Sequence, residues 1–298
     1  MRHGEGIYTY KDGTQQKGVW RDGTFVEEVV EEHTAVVAAE SASATATAAS
    51  DQPVGKYFKA AENIVPGQVR TALLIGNSQY QTAALKNPVN DVTAMAQELQ
   101  QSGFDAFLYT DLDQKTMKKA IREFGQLLKE RGGVGLFFYA GHGLQSDGRN
   151  FLVPIDAEIH KVQDIEFEAV DLGRLLSELE YAENNLNIII LDACRDNPYK
   201  EEFEKSKYAS YNGLASIGSA LFYSLIAFST APGSVALDGT GANGLYTQEL
   251  LRAMREVGPG LEEVFKRVRR NVRKASQGQQ IPWESSSIED DFYYKMQE

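Results

Sequence analysis

A chain of 298 residues that is 42% hydrophobic can bury a sizeable core, as one large domain or as one domain with appendages. Its 42 acidic residues against 30 basic ones leave a formal charge of −12, which argues against general affinity for nucleic acid or anionic membranes and favours cationic partners. A single cysteine excludes an intrachain disulfide, and with only four scattered histidines it excludes a zinc site of structural spacing, a usage that suits a reducing cytosol.

Residues 1–25 space glycines and aromatics regularly and carry two Asp-Gly pairs, Asp12-Gly13 and Asp22-Gly23, the dipeptide of tight hairpins. A small β-hairpin segment is expected there. Residues 26–67 turn acidic and then rich in Ala, Ser and Thr, with too little bulk for a core, and read as a flexible linker. The amino terminus lacks the apolar centre of a secretory signal, and no apolar run is long enough for a transmembrane segment, so a cytoplasmic protein is expected.

Across residues 68–298 strands alternate with helices. RTALLIG (70–76) reads as a buried strand, and 90–103 as a helix begun by Asn90 and closed by Gly103. A strand over FDAFLYT and a helix over 114–131 follow. Strand 134–140 leads into a hairpin around Asp147-Gly148; helix 168–181 precedes strand 187–193. Strand 221–229 and helices 245–256 and 260–275 complete the pattern. Such alternation predicts an α/β domain whose mostly parallel sheet is covered on both faces.

Two of these strands end on reactive side chains. GVGLFFYAGHG reaches His142 and NLNIIILDACRDNP carries Cys194, and sites in open α/β sheets gather at the carboxyl ends of the strands. The two residues are therefore expected at neighbouring strand tips. A thiolate needs a nearby base, and the separation of 52 residues matches the spacing of a caspase-type signature. The backbone amides of Gly143 and Cys194 are the best candidates for an oxyanion hole, with glycine allowing close approach. No third member of a triad is evident.

Eight motifs occur in order between Arg70 and Tyr294: ALLIGNSQY, LKNPVNDV, YAGHG, NFLVPIDA, ILDACRDNP, STAPGSVALDGTGANGLYT, VFKRVRRNV and QIPWESSSI. Together they resemble the caspase-like peptidases of bacteria, the orthocaspases, related to metacaspases, paracaspases and caspases. The resemblance implies a caspase-like α/β/α sandwich with a sheet of about six strands. It also implies a cysteine endopeptidase with His142 as base or imidazolium partner and Cys194 as nucleophile. Caspases read an acidic P1 residue with a glutamine two positions before the cysteine and a later arginine. Here Asp192 and Asp238 occupy those positions, and Asp91 matches a third acidic pocket position of metacaspases and paracaspases. Three carboxylates imply a protein or peptide substrate with Arg or Lys at P1, arginine preferred for its planar fork. Two of the acids also have a plainer reading: Asp91 as a residue that serves only a helix dipole, and Asp238 as part of an Asp-Gly turn.

The polar stretch 199–212 carries Lys200, Lys205 and Lys207, expected either as self-cleavage sites or as a solvated loop. The basic face of helix 260–275 is expected to be a solvated packing face and not a nucleic-acid surface. No cofactor or metal is required by the sequence; some metacaspase relatives need calcium, but no loop here has its ligand spacing. In residues 1–25, His3-Gly4-Glu5-Gly6, Asp12-Gly13 and Gly18 to Gly23 resemble a MORN repeat. One such unit cannot bury a face alone, so it implies docking on a partner or the remnant of a longer array. The alternative to an active peptidase is a catalytically idle caspase-like regulator or a MORN-tethered scaffold.

Overall fold

The computed structural model describes residues 4–9, 15–21, 24–28, 55–61, 67–194, 214, 223–231 and 241–296, with the backbone alone for 4–28 and Cys194. The chain divides into two units, Met1–Ser50 and Asp51–Glu298. In the first, β1 (Gly4–Thr9), β2 (Gln15–Arg21) and β3 (Thr24–Glu28) form an antiparallel meander. The expected hairpin is thus a three-stranded sheet, whose last strand enters the stretch read as linker. A register shift at Val19/Trp20 marks a bulge in β2, which lets the strand twist.

The second unit is built on a nine-stranded sheet, larger than the sheet of about six strands expected. Five strands are mutually parallel: β5 (Arg70–Gly76), β6 (Asp105–Thr110), β7 (Val134–Ser146), β10 (Leu186–Cys194) and β11 (Ser224–Phe228). The additions are short and peripheral. β4 (Lys56–Phe58), also inside the expected linker, and β12 (Trp283–Ser286) close the two edges antiparallel. β8 (Arg149–Leu152) and β9 (Val170–Asp171) extend the upper part of β7.

The parallel strands lack a polar face because both sides are covered. Along β7, Leu136, Phe138 and Ala140 face α1 (Pro88–Gln101), α5 (Leu245–Met254) and α6 (Leu261–Ala275). Phe137 and Tyr139 face the other way, toward α2 (Gln114–Arg131) and α4 (Leu172–Ala182). Strand β10 alternates in the same way, with Ile188 and Ile190 on the first face and Ile189, Leu191 and Ala193 on the second. Each such fully buried side chain contributes about 1.5–3 kcal/mol of transfer free energy, so neither face tolerates a polar intruder. A four-residue helix, α3 (Ile165–Glu168), packs with the hairpin of β7 and β8.

Helix ends follow local chemistry. Asp113 caps α2 by accepting from the Thr116 amide at 2.7 Å. α1 begins at Pro88, not at Asn90, since proline suits the first turn, where an amide hydrogen has no partner. Its buried Glu98 meets Arg255 Nε at 2.7 Å and Lys295 Nζ at 2.8 Å, tying α1 to the end of α5 and to the carboxyl-terminal segment. That tie sets the spacing of α1, which carries Asp91, and α5, whose amino terminus meets the acids described below.

Candidate active site

The parallel register of β7 and β10 runs from Leu186↔Val134 to Cys194↔His142, so the two residues are cross-strand partners at the end of the ladder. Neighbouring strands lie about 4.8 Å apart, which brings the two backbones within reach of direct side-chain chemistry. Two residues earlier, Asp192 partners Ala140 and lies on the α1, α5 and α6 side, continuing the Ile188 and Ile190 row.

His142 is buried, 3% exposed, and its surroundings fix the ring. Its Nε2 stands 2.7 Å from the Ala83 carbonyl, an oxygen that can only accept. Nε2 therefore carries the proton, and Nδ1 is the basic nitrogen of this tautomer. Ala83 has φ +57°, a left-handed conformation that costs a residue with a Cβ about 1–2 kcal/mol. That cost is retained at the residue whose carbonyl meets the imidazole. The Tyr80 ring lies over the imidazole, centroids 4.4 Å apart, and its hydroxyl accepts from the His142 amide at 2.9 Å. Beside it the Tyr139 hydroxyl donates to the His142 carbonyl at 2.8 Å. Gly141 must lack a side chain here: a Cβ would stand 2.5 Å from the Tyr80 hydroxyl and 2.6 Å from that of Tyr139.

The loop that carries Tyr80 and Ala83 is itself anchored. Asp111 Oδ1 accepts from the amides of Ser78 at 2.7 Å and Gln79 at 2.9 Å. Asn77 donates to the Val153 carbonyl at 3.1 Å and accepts from the Leu112 amide at 3.0 Å. The GNSQY segment thus acts as a bracket between β5, β6 and the hairpin.

Gly143 follows in β7, opposite Leu152 of β8. The Ala140 carbonyl accepts from Asn77 and the His142 carbonyl from Val153, so these alternate residues face β5 and β8. By the same alternation the Gly143 amide points to the β10 side, where Cys194 stands. Glycine is needed at 143 for a second reason as well, because a Cβ would press on Ala193 at 3.0 Å and Leu214 at 3.1 Å.

The acids converge at the start of α5. Asp91, buried in the first turn of α1, accepts at Oδ1 from Asn243 Nδ2 and from the Gly244 amide, each at 2.9 Å. Asp192 accepts at Oδ2 from the Thr247 hydroxyl at 2.7 Å. A Cβ built on Gly244 would lie 3.3 Å from Asp91 Oδ2 and 3.6 Å from Asp192 Oδ2, so both carboxylates border one point. Gly244 caps α5, whose positive dipole end offsets the repulsion of two neighbouring anions. The Asp91 carboxylate thus meets the amino terminus of a different helix from its own. Tyr246, fully buried beside them, has its phenol pushed well above its ordinary pKa by burial, with the charges of Asp192 and Glu284 adding to it.

Asp238, Lys200, Lys205 and Lys207 lie outside the described residues. Among the described residues no group of three His, Cys, Asp or Glu side chains stands together to hold a metal ion. No described helix is long and apolar enough to cross a membrane. Ala83 and Asp111 enter the site without a signal in the sequence, while Tyr80, Tyr139, Asn243, Gly244 and Thr247 figure there only as parts of motifs.

Residues 69–293 match the caspase domain of a cysteine-peptidase family. The chain belongs to the caspase-domain family. This caspase domain is 35% identical over 127 residues to the human (Homo sapiens) mucosa-associated lymphoid tissue lymphoma translocation protein 1, and equally to its mouse (Mus musculus) homolog. The matched stretch is 42% of this chain and 15% of each relative's own length. The caspase-like α/β fold expected from the eight motifs is the fold observed.

Proposed function

We propose that this caspase domain is a cysteine endopeptidase that hydrolyses peptide bonds after arginine, and less readily after lysine, with His142 and Cys194 as its dyad. The observation that carries the reading is the Cys194↔His142 register, two residues beyond an aspartate that shares its border with Asp91. In acylation the thiol proton passes to His142 Nδ1 and the thiolate attacks the scissile carbonyl carbon. The oxygen that gains the negative charge is received by the amides of Gly143 and Cys194, each donor typically contributing about 3 kcal/mol. As the C–N bond breaks, the imidazolium gives its proton to the departing amine. Water then adds to the thioester, losing a proton to His142, and the thiol is regenerated as the acid product leaves. The Ala83 carbonyl supports the imidazolium through Nε2 without a carboxylate.

Selectivity follows from charge. A guanidinium seated between Asp91 and Asp192, with Asp238 as a further acid, gains charge-assisted hydrogen bonds, while an acidic P1 side chain meets repulsion. The test is a panel of fluorogenic peptides differing only at P1, assayed with the whole chain and with Cys194→Ala. The expected order is Arg above Lys, with Asp uncleaved and the variant silent. Cleavage of the Asp peptide at the rate of the Arg peptide would overturn the selectivity. Hydrolysis that survives in Cys194→Ala would overturn the dyad.

A further inference from the structure

We propose that Tyr80 is a positioning residue for His142, acting through its ring and its hydroxyl together; this rests on the dyad reading above. The ring covers the imidazole at 4.4 Å between centroids, tilted by 51°. The hydroxyl accepts the His142 backbone amide at 2.9 Å and lies 3.3 Å from both the Tyr139 hydroxyl and the Val153 carbonyl. One side chain therefore holds both the backbone and the ring of the same residue.

The strand itself shows why such a clamp is needed. His142 stands beyond the last β5 partner of β7, since the β5 register ends at Gly76↔Ala140. At Ala140 the β7 backbone is held by the Asn77 amide, but at His142 the amide hydrogen goes to a phenol from a loop. A buried amide without a partner is costly, so the Tyr80 hydroxyl replaces the missing strand. Three residues later in the same loop, the Ala83 carbonyl takes Nε2. Ring stacking and Nε2 acceptance thus come from one segment, anchored on Asp111. Fixing the ring against Tyr80 directs Nδ1, the nitrogen that must meet the thiol.

The lone cysteine makes the test independent of any substrate choice. Alkylation by iodoacetamide at neutral pH, followed by intact mass, reads the reactivity of the Cys194 thiolate that the imidazolium supports. Tyr80→Phe keeps the ring and removes the acceptor, and is expected to slow alkylation about tenfold while retaining the wild-type unfolding midpoint within a few degrees. Tyr80→Ala removes both and should slow it about 100-fold, since small misplacements of a reacting group cost that much. Peptide hydrolysis should lose kcat in the same order with KM nearly unchanged. A Tyr80→Phe rate lying between those of the wild type and Tyr80→Ala would support positioning by ring and hydroxyl together. Alkylation at the wild-type rate in a folded Tyr80→Ala protein would overturn the proposal. Because alkylation needs no peptide, absence of hydrolysis in the wild type would count against the peptidase reading without touching this one.

Discussion

His142 and the pair Asp91 and Asp192 stand at the same edge of one sheet, yet they are held by different means. The imidazole is fixed by a carbonyl at Nε2, a phenol ring and two hydroxyls on its own peptide groups, all neutral. The carboxylates rest on the amino terminus of α5, through the Gly244 amide, the Asn243 side chain and the Thr247 hydroxyl. A neutral cradle orients the imidazole without committing it to one charge, which suits the proton transfer proposed for it. A helix terminus does the reverse, stabilising negative charge, which suits the cationic side chain proposed to bind there.

If that division holds, the largest effects come from the reacting pair. Cys194→Ala should lower kcat/KM for an Arg peptide by about 10⁴-fold or more, and His142→Ala by about 10³-fold, with both proteins folded by circular dichroism. The acids should follow, with a different signature. Asp192→Asn and Asp91→Asn are expected to reduce kcat/KM for Arg and Lys peptides by about 100-fold while leaving Cys194 alkylation near the wild-type rate. Equal loss of alkylation would mean that the acids serve the dyad and not the substrate, and the comparison would fail. Thr247→Val removes one neutral donor from Asp192 and should cost the same peptides about fivefold.

The smallest effect lies far from both regions, at the β4 edge. Burial pushes the Asp105 carboxyl up, but the Ala60 amide, the Tyr57 hydroxyl and Arg131 together hold it below the ordinary aspartate range. A lowered acid contributes stability that is present above its unfolded pKa and is lost as pH falls through its folded one. Urea unfolding should therefore show the wild type losing about 0.5 kcal/mol more than Asp105→Asn on acidification past that range, the exposure of the group keeping the figure small. Activity at neutral pH should not change.

The fold was legible where burial on both faces leaves no choice of residue. Runs such as Ile188 to Leu191 and Leu136 to Tyr139 mark central strands, and their ends mark where His142 and Cys194 meet in register. The edges were not legible, because Lys56–Phe58, Val170–Asp171 and Trp283–Ser286 are short and carry no repeating apolar pattern. The partner of the His142 ring escaped the sequence for a stricter reason: it is the Ala83 carbonyl, and every residue has one. In the sequence Asp192 and Asp238 read as a charge inversion, with Asp91 as a third acid, and the structure sets Asp91 and Asp192 at one border. Their common seat was not legible, since Gly244 and Thr247 lie more than 50 residues from either acid and only the packing of α5 against α1 unites them.

One labelling measurement addresses both the proposed His142–Cys194 dyad and its selection of basic side chains. Peptidyl chloromethyl ketones identical except for Arg or Asp at P1 are incubated with the wild type and with His142→Ala, and the intact mass is followed. One Arg-bearing adduct is expected at Cys194 of the wild type, with slow or absent labelling by the Asp reagent and little labelling of the variant. Equal labelling by the two reagents, or an unchanged rate in His142→Ala, would contradict that proposal.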